Sequence, residues 1–138
     1  MPVRESGIIM DRKIIHTYSA PGAVGTYNQA VQAHGFIYTS GQVGLVPATG
    51  ELIDGGTKAE AIQVLKNIRA ILEAAGSSLS DIMKLTVYIV DISEFSQINE
   101  AFQEFFGNID FPARSTVEVS ALPIGARIEI DCVALAGE

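Results

Sequence analysis

The 138-residue chain holds a single cysteine, no tryptophan, two histidines and nine Lys and Arg together. A lone thiol, Cys132, cannot form an internal disulfide, which fits a reducing, cytoplasmic setting. His16 and His34 lie far apart, and neither Cys-x-x-Cys nor His-Glu-x-x-His spacing occurs, so no metal site is expected. The basic residues are scattered without a run, and the formal net charge is −7. A nucleic-acid binder draws affinity from neutralised phosphates and needs a basic patch, so no nucleic-acid partner is expected. No apolar run approaches the roughly 20 residues that span a bilayer, and no signal-peptide pattern is present. The usual nucleophile signatures are missing as well. There is no Gly-x-Ser-x-Gly elbow, no phosphate-loop glycine spacing, and Cys132 alternates with isoleucines as a core thiol would.

What is present is apolar. Hydrophobic residues make up 48% of the chain and charged ones 18%, with a mean hydropathy of +0.29. The length suits one domain with a real core. Residues 1–12 read as an N-terminal tail and residues 13–138 as the single domain. Such apolarity in a small soluble chain points to surface hidden by oligomerisation.

Strand patterns are expected at Lys13–Ser19, Tyr27–Ala33 and Phe36–Val43, the last two joined as a hairpin at His34-Gly35. A turn follows at Pro47–Glu51. Thr57-Lys58-Ala59-Glu60 has capping-box spacing ahead of an amphipathic helix that carries Ile62, Leu65, Ile68 and Leu72 and ends at Gly76. Lys84–Ile92 is β-branched and apolar, the pattern of an interior strand buried on both faces. Phe95, Ile98, Phe102 and Phe106 share one face of a second helix, stopped by Gly107-Asn108. Phe111–Val119 and Arg127–Ala136 read as the closing strands, connected by a loop over residues 120–126. Two helices can cover only one face of this sheet, so contact between subunits is expected on the other.

Few polar residues stand out. Arg114 enters one closing strand and Glu129 lies in the other. If the loop makes a hairpin they could form a cross-strand ion pair. They could instead form a pocket, with the guanidinium gripping a carboxylate bidentately and Glu129 holding a water. Tyr27 could supply a flat wall with a polar tip, and Gly41 after Ser40 would let a ligand approach the backbone. Asn99 suits either a site or an exposed helix face.

Several stretches together carry a family resemblance: Ala20-Pro21-Gly22-Ala23-Val24-Gly25-Thr26-Tyr27-Asn28-Gln29, Thr39-Ser40-Gly41-Gln42, Thr49-Gly50-Glu51, residues 67–76 (NIRAILEAAG), Phe111-Pro112-Ala113-Arg114-Ser115 and Ile128-Glu129-Ile130. In this order and spacing the chain resembles the Rid (YjgF-like) proteins, the reactive-intermediate deaminases, from about Ile14 onward. The resemblance implies a chorismate-mutase-like α+β fold, a mixed sheet with two helices on one face, and a homotrimer with pockets between subunits. It implies hydrolysis of 2-imino acids such as 2-iminobutanoate to 2-keto acids and ammonia, with neither metal nor organic cofactor. It also implies that Arg114 binds the substrate carboxylate and Glu129 positions the attacking water. Tyr27, Ser40, Gly41, Asn99 and Thr116 would line the pocket. Thr116 departs from the cysteine of many bacterial relatives, and Thr26 from the proline that often precedes the tyrosine. The alternative is a non-catalytic ligand-binding or chaperone-like trimer that uses the same cleft.

Overall fold

The computed structural model describes residues 11–137, so most of the expected tail, residues 1–10, lies outside the described residues. Strands β1 (Lys13–Ile15), β2 (Ala30–Ala33) and β3 (Phe36–Thr39) open the chain. They pair antiparallel in sequence order. The β2–β3 turn is the expected hairpin: His34 and Gly35 take φ of 53° and 84°, the left-handed pair that a two-residue turn between twisted strands requires. A small ribbon of β4 (Leu45–Val46) and β5 (Glu51–Leu52) follows around the expected turn. Then come helix α1 (Gly56–Ala74), strand β6 (Ile82–Ile89), helix α2 (Phe95–Phe106) and strands β7 (Ala113–Glu118) and β8 (Ile128–Leu135). The main sheet runs β1-β2-β3-β8-β6-β7.

Both helices lie on one face. Ala61, Val64, Leu65, Ile68, Ile71 and Leu72 of α1 and Ile98, Ala101, Phe102 and Phe106 of α2 are buried against Ile37, Leu85, Val87, Ile89, Ile128 and Ile130 of the sheet. Helix α1 ends where expected, with Gly76 at φ 78°. The opposite face of the sheet is open in the single chain, and Ile14, Phe36, Tyr38, Val117 and Leu135 are exposed on it. Strand β6 is therefore interior but buried on its helix side only, its alternate residues Lys84, Thr86 and Tyr88 being half-buried. Among the described residues no helix is long and apolar enough to cross a membrane.

Two local expectations are overturned. The closing strands do not form a hairpin, because β6 lies between them: β7 pairs parallel with β6, while β8 pairs antiparallel with it. The helix α2 crossover returns the chain beside β6 in parallel, as a βαβ connection does. The capping box does not form either. Gly55 and Gly56 start α1, and the buried Thr57 and Glu60 side chains turn to Arg127 instead. Arg127 Nε donates to Thr57 Oγ1 at 2.9 Å and its backbone N–H to Glu60 Oε1 at 2.8 Å. The Arg127 guanidinium pairs with Glu94, which also accepts from Thr57 Oγ1 at 2.9 Å. A charge-assisted bond outcompetes a neutral cap, so this cluster ties the starts of α1, α2 and β8 together.

The Arg127 guanidinium and Thr57 hydroxyl hold the Glu94 carboxyl below its ordinary value of 4.5. A depressed carboxylate contributes stability above the unfolded value and loses it as pH falls through the folded one. Glu94→Gln is expected to destabilise by about 1 kcal/mol at pH 7, because the pair is only partly buried. Urea denaturation should find that deficit shrinking toward zero as the pH is lowered to about 3.

Candidate functional site

The expected site residues fall into two groups. Strand alternation has a period of two, so partners in register share a face. Arg114 pairs with Leu85, whose side chain is buried under the helices. Glu129 pairs with Tyr88 on the open face. Two strand spacings and three residues of rise also separate their Cα atoms by roughly 14 Å. Within one chain they cannot form the ion pair that a hairpin would allow.

Arg114 borders a cavity of about 330 Å³ with Asn99, Phe102, Gln103, Phe111 and Pro112. Its Nη2 donates to Asn99 Oδ1 at 2.9 Å. Its guanidinium carbon lies 5.2 Å from the Phe95 ring centre and 5.0 Å from that of Phe102. Burial pushes its pKa below the ordinary arginine value, yet an arginine remains a cation there. Asn99 is thus a partner of the cation rather than a bystander on a solvated face. Thr116 follows two residues along β7 on the same side, and its buried Oγ1 has no hydrogen-bond partner among the described residues. Val117 is exposed, because the inward positions of this strand belong to Arg114 and Thr116.

Glu129 borders a second cavity of about 390 Å³ with Val24, Tyr27, Ser40, Gly41, Val43, Leu45, Pro123 and Ile124. Burial, reinforced by Asp131, raises its carboxyl above 4.5, and no hydrogen bond offsets this. At Gly41 a Cβ would lie 2.5 Å from Glu129 Oε2, so the missing side chain makes room for the carboxylate.

Buried polar side chains hold the loops around this cavity. Gln29 accepts from the Thr17 N–H at 2.7 Å and donates to the Thr17 and Pro21 carbonyls at 3.0 and 2.8 Å, shaping the loop that carries Tyr27. The Ser40 hydroxyl donates to the Asn28 carbonyl at 2.5 Å. From α1, Asn67 donates to the Leu45 carbonyl at 2.9 Å. Gln42 exchanges backbone bonds of 2.8 and 3.0 Å with Ile130, beside Glu129. Sequence reasoning did not single out Asn67 or Gln29 as anchors, nor Ile124 as a wall. Ile124 has φ 55° and is 61% exposed. A β-branched residue in the left-handed region costs about 1–3 kcal/mol, and nothing in a single sequence marks it.

Cys132 is buried, and its thiol is pushed up to about 12 by desolvation, as expected of a core thiol. Among the described residues no cluster of three or more His, Cys, Asp and Glu is placed to hold a metal ion.

A mixed sheet backed by two helices on one face is the architecture of the YjgF-like proteins. The chain belongs to that family, the Rid proteins: residues 17–136 match the family described as Endoribonuclease L-PSP. The human 2-iminobutanoate/2-iminopropanoate deaminase is 47% identical over 126 residues, spanning 91% of this chain and 91% of its own. The Rid-family protein YyfA from Yersinia pestis superposes with a TM-score of 0.88 at 44% identity, over 91% of this chain and all of its own. TdcF from E. coli, solved with bound serine, superposes with a TM-score of 0.86 at 41% identity, over 91% and 99% of the two chains.

The Gly41–Glu129 contact is testable without any substrate. Gly41→Ala should cost the fold at most about 1 kcal/mol, because the atoms a Cβ would meet are the free end of the Glu129 side chain, which can move aside. Chemical denaturation measures this, and Glu129→Ala in the same background should remove whatever cost remains.

Proposed function

We propose that the protein is an imine deaminase, hydrolysing small 2-imino acids to 2-keto acids and ammonia in a site shared between copies of the chain. The observation that carries this reading is a divided pair. One forked cation lies over aromatic rings, and one carboxylate with no hydrogen bond among the described residues lies on the other face. The chain bearing them is 47% identical to the human 2-iminobutanoate/2-iminopropanoate deaminase.

In this reading Arg114 of one copy grips the substrate carboxylate through two parallel N–H bonds. Glu129 of a second copy accepts a proton from water as the water oxygen bonds to the imine carbon, and the C=N π electrons move to nitrogen, which takes that proton back to give a neutral carbinolamine. Glu129 then accepts the hydroxyl proton and passes it to nitrogen as the C=O bond forms and the C–N bond breaks, so that ammonia departs and the 2-keto acid remains. An imine is already electrophilic, so orientation and a poised water suffice, and neither metal nor organic cofactor takes part. Asn99 steadies the guanidinium, Thr116 offers its unspent hydroxyl, and Tyr27, Ser40 and Gly41 frame the water side.

Assembly is part of the proposal. The surfaces around Arg114 and Glu129 differ, so their contact is heterologous, and a ring of three closes such contacts with few copies. A homotrimer would also bury the exposed Phe36, Tyr38 and Leu135 of the open face. The net charge of −7 weighs against a nuclease surface, which needs cations.

Purified protein should accelerate the loss of 2-iminobutanoate released by a threonine dehydratase, and Arg114→Ala should cut kcat/KM by about 100-fold or more. No acceleration by the unmodified protein would overturn the reading. Because burial raises the Glu129 carboxyl, activity should fall on acidification from a pH above the ordinary carboxylate value of 4.5.

A mixing experiment tests the shared site. Arg114→Ala and Glu129→Gln chains, each inactive alone, should recover about a quarter of full activity when co-assembled, since a quarter of random interfaces join two intact halves. A co-assembled mixture that stays inactive would sink the shared site.

A further inference from the structure

We propose that Ile124 is a specificity-determining residue, whose apolar side chain ranks imino acids by the size of their own side chain. The inference rests on the deaminase reading and adds to it what the Glu129 cavity selects. Residues Pro123-Ile124-Gly125 form a tight turn just before β8, closed by the Ala126 N–H donating to the Pro123 carbonyl at 3.0 Å. Gly125 takes φ 72° at no steric cost, but Ile124 at φ 55° brings a β-branched side chain into the left-handed region.

Glycine or asparagine would satisfy the same backbone without strain, so the turn itself does not call for isoleucine. Nor does the core, since the side chain is exposed rather than packed. What it does is border the Glu129 cavity, together with Val24, Val43, Leu45 and Pro123. Backbone strain held at a cavity wall is the pattern of a residue kept for what its side chain touches.

The chemistry of the cavity then divides. Its polar members are Glu129, Tyr27 and Ser40, and its apolar members are Val24, Val43, Leu45, Pro123 and Ile124. A 2-imino acid oriented by its carboxylate and its attacked carbon has one group left to place, its side chain, and the exposed apolar side chain of Ile124 lies in the same cavity as Glu129. A branched aliphatic side chain has more surface to bury against it than a methyl or ethyl group.

The test compares two imines: 2-iminobutanoate from a threonine dehydratase, and the imine formed from leucine by an amino-acid oxidase. Ile124→Gly and Ile124→Asn both keep the left-handed backbone, so both variants should melt no lower than the unmodified protein. Each should lower kcat/KM for the leucine-derived imine by about tenfold, mainly through KM, while 2-iminobutanoate changes less than about twofold. Ile124→Val, which keeps most of the apolar surface, should restore most of the selectivity. An unchanged ratio between the two imines, equal losses for both, or a gain for the larger one overturns the role of Ile124 and leaves the deaminase reading standing. Inactivity of the unmodified protein on both imines overturns that reading and the inference with it.

Discussion

Strand β6 has one parallel neighbour and one antiparallel neighbour, and this mixed pairing governs everything else in the molecule. With side chains alternating every residue, register alone decides which face each functional group occupies. Leu85 opposite Arg114 sends the cation under the helices, and Tyr88 opposite Glu129 sends the carboxylate to the open side. A one-residue slip of either strand would exchange the faces. The separation has a chemical benefit. An Arg–Glu pair within one chain would neutralise itself, whereas divided groups keep their charges for a ligand. Arg114 is tolerable beneath helices because β7 is an edge strand and because the Phe95 and Phe102 faces and Asn99 replace part of its water.

The Glu129 side depends on loops, and loops are the least self-supporting part of a small protein. Here they are fastened from within. Gln29 and Asn67 are buried polar residues, and such groups must find hydrogen-bond partners. The partners available are the backbone of residues 17–21 and 43–45, which are the segments that lead into Tyr27 and Leu45. The Arg127 cluster does the same for the turn ahead of β8, holding the residue beside Ala126 to both helices. The cavity walls are thus set by the core, and a site held by its scaffold needs little rearrangement when a ligand arrives.

This arrangement also explains which parts were readable from the chain and which were not. The two helices, the His34-Gly35 hairpin and the inward set of Ile128, Ile130 and Cys132 follow from local periodicity, and they stand where expected. The candidate site residues Arg114, Glu129, Tyr27, Ser40, Gly41 and Asn99 stood out by residue type and position, while Thr116 entered only through the family resemblance. What local patterns could not supply was pairing. Placing β8 between β3 and β6 is a choice among distant partners, and the loop over residues 120–126 looked equally like a hairpin. The same blindness to distant partners accounts for Thr57 and Glu60, whose capping-box spacing lost to an arginine 67 residues beyond Glu60. Gly41 was noticed for its missing side chain, but the β8 side chain that occupies its space is again a distant partner.

The strongest constraint on the chemistry comes from the choice of arginine at position 114. A lysine moved against two phenylalanine rings and out of water would tend to shed its proton, because desolvation disfavours the ammonium. The guanidinium stays charged under the same burial, although its pKa is pushed down. It is also planar, so it can lie over the rings of Phe95 and Phe102 while one edge meets Asn99. One of its five donors is spent on that oxygen, and the remaining fork can meet a carboxylate with two parallel bonds. A chain of net charge −7 has no other concentrated cation to offer an anionic ligand among these site residues. Among the site residues Arg114 is thus the group fitted to meet a small acid. Glu129 faces the opposite way, so one chain alone does not bring the two charges together.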